Sequence, residues 1–357
     1  MTLIIAEAGV NHNGDEEMAF ALVDAAVAAG ADIVKFQTFN AKALATAAAQ
    51  QADYQRTNTG QIESQLAMLR RLELSYDAHL RLQAYCQQQG IGFLSTAFDE
   101  QSLQFLLGPL KLTRLKIPSG EITNAPFVLQ HARSGHDLIV STGMADLAEI
   151  KAALGVIAFG YIATTDAQPS QQAFNQAFAS EQGQLALRQK VTLLHCTTEY
   201  PAPPEDINLT AMDTMAATFS LPVGYSDHSA GIHIAIAAVA RGATVIEKHF
   251  TLDRSLPGPD HKASLEPAEL QNMVSAIRDV NLAMGDGIKR PAPSEIANKA
   301  VARKSLVAAC AIRAGDTLTA AHIACKRPGN GISPQRYWEL LGTVAKYDFA
   351  EGDLLAD

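Results

Sequence analysis

At 357 residues the chain is long enough for one large domain and a small appendage, taking roughly 150 residues per domain as a loose guide. Its 48% apolar and 18% charged residues are those of a folded globular protein and argue against disorder. A net charge of −9 without a long basic run argues against nucleic acid and anionic membrane surfaces as partners, so an anionic ligand must be met by basic residues gathered inside a site.

The opening MTLIIAEAGVNHNGD has no basic leader and only a brief apolar run, so it reads as neither a signal peptide nor a transmembrane span. Cys86, Cys196, Cys310 and Cys325 follow no metal or redox spacing, which fits a reducing cytoplasm. The expected location is cytoplasmic.

Short β-branched runs then alternate with helical patterns to about residue 284. The strand candidates are LIIAEAG from 3, DIVKFQTF from 32, IGFLSTAF from 91, TRLKIPSG from 113, DLIVSTG from 137, VTLLHCTTEY from 191, PVGYSDH from 222 and TVIEKHF from 244. Between the first two lies DEEMAFALVDAAVAAG, where Asp15 can cap a helix and Gly30 can end it. Strands alternating with helices imply a parallel sheet, and eight such units are what a (β/α)₈ TIM barrel requires. The competing fold is a doubly wound open sheet, but AEAGVNHNG lacks the GxGxxG turn that would favour it. The Ala/Gln-rich stretches near 43–52 and 167–187 read as loops or helices without chemical content.

The texture changes at GDGIKRPAPSE, giving a barrel over 1–284, a linker over 285–300 and a small β-rich tail over 301–357. A tail of that size is marginal alone and is expected to lean on something else.

In a barrel, catalytic groups collect where strands end at the carboxyl face. The candidates there are Glu7, Lys35, Gln37, Thr96, Lys116, Ser119, Glu121, Ser141, Thr198, Tyr200, Ser226, His228, Glu247 and His249. Two lysines among hydroxyls suit a phosphate or carboxylate, which takes charge-assisted donors in a partly desolvated pocket. Against this stands the reading that each lysine snorkels at a strand end, and a Schiff-base aldolase using Lys35 or Lys116 is a rival use. His228 and His249 close consecutive strands and could converge on a divalent ion, or each could simply be hydrogen-bonded. His195 reads as a core histidine, His261 lies on a loop, and Asn11-His12-Asn13-Gly14 reads as a turn. In VIEKHFTLD, period-two alternation puts Glu247 on the face of His249 and Lys248 on the other, where a structural pairing at the barrel's outer rim is expected. Glu247 reads either as orienting a ligand or as a buried hydrogen-bond partner, outside the catalytic set.

The motifs IIAEAGVNHNG, VKFQTF, FLSTAFD, KIPSGE, IVSTG, LLHCTTEYPAP, GYSDHSAG, IEKHFTLD, GPDHKASLEP, ARKSL and KRPGNGISP follow one another over nearly the whole chain. Together they closely resemble the bacterial sialic acid synthase family, which includes N-acetylneuraminate synthase and its legionaminate-forming relatives. The resemblance implies a barrel joined to a small antifreeze-like (SAF) domain in a domain-swapped homodimer. It implies condensation of phosphoenolpyruvate with an N-acetylmannosamine-type aldose to a nine-carbon 2-keto acid, with loss of phosphate. It places a divalent ion, Mn²⁺ or Mg²⁺, on His228 and His249, and makes Glu7 and Glu121 the catalytic carboxylates. Lys35, Thr96, Lys116, Ser119, Ser141 and Ser226 then match phosphoenolpyruvate contacts, while Gln37, Tyr200 and Asp260 lie nearer the sugar. Arg327 matches an arginine carried into the partner subunit's site. Thr198 stands where sialic acid synthases often have Asn, and CTTEYPAP looks more like the legionaminate branch. That tips the expected sugar toward 2,4-diacetamido-2,4,6-trideoxymannose, with N-acetylmannosamine next. A third reading, a non-enzymatic SAF binding module on an idle barrel, leaves the ionisable strand ends without a use.

Overall fold

The computed structural model describes residues 1–60, 62–164 and 166–357. Eight parallel strands, β1 (Leu3–Gly9), β2 (Ile33–Thr38), β3 (Gly92–Ala97), β4 (Arg114–Ile117), β5 (Asp137–Ser141), β6 (Val191–Cys196), β7 (Val223–Asp227) and β8 (Val245–His249), pair in chain order and close into a barrel. Closure runs from Leu3 opposite Val245 to Glu7 opposite His249. This is the TIM barrel, not the open sheet.

Local chemistry explains the first crossover. The Asp15 carboxylate accepts from the backbone N–H groups of Glu17 and Met18, and Gly30 takes φ 77°, where a side chain would be strained, so the helix Glu16–Ala29 starts and stops there. Side chains such as Ile4, Ala6, Val34, Phe36 and Leu115 are fully buried and belong to the barrel's apolar core. Burial of each large aliphatic stabilises by about 1.5–3 kcal/mol, which offsets the cost of the ionisable groups buried within the barrel.

Several strands end earlier than their sequences suggest, β4, β6 and β7 among them. β4 stops before Pro118, which has no N–H to continue the ladder, and the 3₁₀ turn Ser119–Glu121 follows. β6 stops at Cys196 and the next carbonyl, Thr197 O, accepts from His228 instead. β7 stops at Asp227, whose carboxylate captures the N–H and hydroxyl of Ser229 in an Asx-type turn.

The chain divides into two compact units, Met1–Gly285 and Asp286–Asp357. The segment 285–300 contains the start of the helix Pro293–Ala302, which falls in the second unit and has no buried side chain. In that unit β9 (Ser305–Ala308) and β10 (Ile323–Lys326) pair antiparallel over a small core that includes Leu306, Ile312, Leu340 and Leu355. No helix among the described residues is long and apolar enough to cross a membrane.

Candidate active site

At the carboxyl end of the barrel a cavity of about 340 Å³, within the range of small-molecule sites, opens among the strand ends. Four of the ionisable side chains that line it, Glu7, Lys35, Lys116 and Glu247, cluster together. Glu7 and Lys35 are partners across the β1–β2 ladder, and their side chains meet at 2.5 Å. Lys35 Nζ lies 3.4 Å from Glu247 Oε2 and Lys116 Nζ lies 3.3 Å from Glu247 Oε1. Lys35 also donates to Thr96 Oγ1 at 3.1 Å, and the Ser226 hydroxyl donates to Glu247 at 2.8 Å. Glu247 therefore bridges the two lysines.

All four groups are almost wholly removed from solvent. Burial pushes Glu7 up to about 7, with Lys35 opposing and the negative Glu247 reinforcing the rise. Burial acts the same way on Glu247, but Lys116 and Lys35 outweigh it and hold that carboxyl well below the usual range. Lys35 is held protonated, its burial more than offset by Glu247 and Glu7. In Lys116 burial prevails and lowers the ammonium's affinity for its proton, despite Glu247. With Glu7 half-protonated near neutrality the cluster is neutral to singly positive, a desolvated seat for an anion.

A second half of the cavity is neutral. The His228 and His249 rings sit with centroids 5.6 Å apart, and burial brings His228 down to about 4 and His249 well below its usual value. His228 Nδ1 donates to Thr197 O at 2.6 Å, which leaves Nε2 as the lone-pair nitrogen. His249 Nδ1 is buried without a hydrogen-bond partner, 3.9 Å from Asp260 Oδ2. Two neutral imidazoles, one with an orphaned buried nitrogen, fit part of a divalent-ion site. Among the described residues no group of three or more His, Cys, Asp and Glu side chains is placed to share an ion, so the remaining positions would fall to water and substrate oxygens. Asp260, raised to about 6 by burial, faces the same space. Gly9 makes this crowding possible: at φ +54° a Cβ there would come within 3.2 Å of His249 Cε1 and 3.3 Å of Glu7 Oε1.

Gln37, Ser141 and Tyr200 also line the cavity, Ser141 with a buried unpartnered hydroxyl. Ser119 accepts from Gly143 N–H at 3.0 Å, and a Cβ on Gly143 would collide with Ser119 Oγ and Thr198 Oγ1. Thr198 and Tyr200 reach the cavity from the loop after β6, not from a strand face. Glu121 is half-buried at the rim and accepts from Asn124 at 2.7 Å. Arg327 is exposed in the second unit, where its Nε donates to Ala302 O at 3.1 Å.

Lys248 is not at an outer rim: it is fully buried and bonded to Asp227, because the wall between strands and helices offers it a carboxylate. His261 is also fully buried, with Nδ1 2.7 Å from Thr251 Oγ1. Sequence reasoning missed the excursion after β2. There the helix Asp53–Thr59 places the Tyr54 ring 5.0 Å from Tyr200, which is itself 4.2 Å from His228, and Asn58 donates to Tyr200 O and Pro259 O. Leu44, from the stretch read as chemically blank, also lines the cavity.

Compared with known families, residues 22–289 match the NeuB family and residues 303–357 match the SAF domain. The chain belongs to the NeuB family. It is 48% identical to the N,N'-diacetyllegionaminic acid synthase of Campylobacter jejuni, over 100% of this chain and 99% of that one. It is 43% identical to the protein of the same name in Legionella pneumophila, over 99% and 92%. Among solved structures, the N-acetylneuraminic acid synthetase of Leptospira borgpetersenii superposes with a TM-score of 0.66 at 32% identity, covering 83% of this chain and 90% of that one.

Proposed function

We propose that this NeuB-family chain is a phosphoenolpyruvate-dependent synthase. It joins the methylene carbon of phosphoenolpyruvate to the aldehyde carbon of an N-acetylmannosamine-type aldose, giving a nine-carbon 2-keto acid and phosphate. The observation that carries this reading is the buried Glu7, Lys35, Glu247 and Lys116 cluster beside two neutral imidazoles. One half suits a small polyanion and the other an aldehyde.

Lys35 and Lys116, with the hydroxyls of Thr96, Ser119, Ser141 and Ser226, hold the phosphate and carboxylate of phosphoenolpyruvate. Glu7, titrating near the working pH, takes the proton of the water that adds to the former enol carbon and returns it as phosphate departs. Glu121 at the rim supplies negative charge toward that carbon. Gln37, Thr198, Tyr200 and Asp260 face the sugar. A divalent ion, Mn²⁺ or Mg²⁺, held by His228 and His249 would supply Lewis-acid polarisation of the aldehyde oxygen.

We assign the sugar as 2,4-diacetamido-2,4,6-trideoxymannose, ahead of N-acetylmannosamine. Thr198 and the two full-length relatives named N,N'-diacetyllegionaminic acid synthases support this. We further propose a cytoplasmic, domain-swapped homodimer in which Arg327 reaches the sugar in the partner's site. Its exposure and the four unpaired cysteines accord with that. The deciding experiment is phosphate release with the two sugars side by side. Release should require both phosphoenolpyruvate and sugar and be faster with the diacetamido sugar; release without any sugar would sink the proposal. For the Schiff-base alternative, Lys35 is a poor nucleophile because it is held protonated, and Lys116, whose proton affinity is lowered, is the residue to test. Borohydride should trap no pyruvate adduct during turnover.

A further inference from the structure

Ser226 faces Glu247 and Asp227 faces Lys248 in the β7–β8 register, and the ladder ends there. His228 and His249 lie one residue beyond that last rung, so no backbone pairing between them sets their separation. The rung itself is unusual. Lys248 and Asp227 are both fully buried and pair at 2.9 Å on the face turned away from the cavity.

Lys248 Nζ also donates to Ser229 O. Asp227 Oδ1 accepts from Ser229 N at 2.9 Å and from Ser229 Oγ at 2.6 Å. The residues before and after His228 are thus both tied to the side chain that precedes His249. The His228 carbonyl is held by Ala202 N–H at 2.9 Å, while His249's carbonyl accepts from Leu265 N–H at 2.9 Å. A buried ion pair contributes little net stability over apolar packing of the same volume, so stability alone does not account for the pair.

We propose that the Asp227–Lys248 pair is a positioning device that sets the separation of the His228 and His249 imidazoles through Ser229. Neither residue lines the cavity. The inference rests on the reading of the two histidines as ion ligands. Loss of the pair should weaken ion binding while leaving the lysine half of the cavity intact.

The test is direct titration of Mn²⁺ into EDTA-stripped full-length protein without substrate. The double variant Asp227→Asn/Lys248→Met removes both charges together and keeps an amide oxygen for Ser229, so it avoids stranding a buried charge. It should unfold within a few degrees of wild type, bind Mn²⁺ about 10- to 100-fold more weakly, and keep an unchanged affinity for phosphoenolpyruvate. Ser229→Ala, which deletes one hydroxyl bond and no charge, should weaken Mn²⁺ binding about fivefold and covers the case in which the double variant does not fold. Wild-type Mn²⁺ affinity in Ser229→Ala and in a folded double variant overturns the positioning role alone. If wild type fails to bind Mn²⁺, or His228→Ala binds it equally well, the ion-ligand reading falls and the positioning role with it.

Discussion

The two halves of the cavity solve opposite problems. On the β1, β2 and β4 side every charge already has a partner: Lys35 has Glu7 and Glu247, and Lys116 has Glu247. On the β7 and β8 side the rings are neutral, and His249 Nδ1 has no hydrogen-bond partner. A paired charge cluster holds its lysines in place before an anion arrives, and the anion must then share them with Glu247. An orphaned buried nitrogen costs free energy until something binds it. The first half thus has its charges matched already, while the second leaves a buried nitrogen unmatched.

The largest effect should come from breaking the neutral half. His228→Ala, or EDTA on wild type, should lower phosphate release by more than about 10³-fold, with added Mn²⁺ restoring the chelated wild type but not the variant. Phosphate release indifferent to EDTA would make the two halves alike. In the charged half, Glu7→Gln should lower kcat by about 10³-fold with little change in the KM for phosphoenolpyruvate, because Lys35 and Lys116 remain.

His131 sharpens the comparison as a control. It is as buried as the cavity histidines, lies away from the cavity, donates from Nδ1 to Phe127 O at 2.9 Å, and is lowered to about 4 by burial. Between about 6.5 and 4 the unfolded chain binds a proton there that the folded chain refuses, so stability falls as pH drops through that window. The contribution is at most about 3 kcal/mol. Thermal unfolding from pH 7 to 4 should show a smaller loss for His131→Leu than for wild type. Smallest of all, Thr198→Asn should shift the kcat/KM ratio about tenfold toward N-acetylmannosamine, since a single polar contact near a substrate is worth about 1–2 kcal/mol.

Much of this was legible in the sequence where local chemistry decides. β1 has the bounds its apolar run suggests, and Asp15 and Gly30 cap their helix as their residue types dictate. Period-two alternation put Glu247 on the face of His249 and Lys248 on the other because that strand is regular. It did not extend to Thr198 and Tyr200, since β6 gives way at Cys196 when Thr197 O turns to His228, a contact 31 residues away in sequence. Tyr54 left no trace, because the helix Asp53–Thr59 buries no side chain and so carries no apolar periodicity. Glu247's double pairing depends on which strands close the barrel, which no local pattern contains.

Gly9 sits between those two halves, with no functional group of its own. A Cβ there would press on His249 and Glu7 from 3.2 and 3.3 Å on a left-handed backbone, so any replacement strains the chain and shifts both groups by a few tenths of an ångström. Saturation mutagenesis scored by product formation should return glycine alone. Such a scan would rank a residue with no reactive group beside the carboxylate proposed to move the proton.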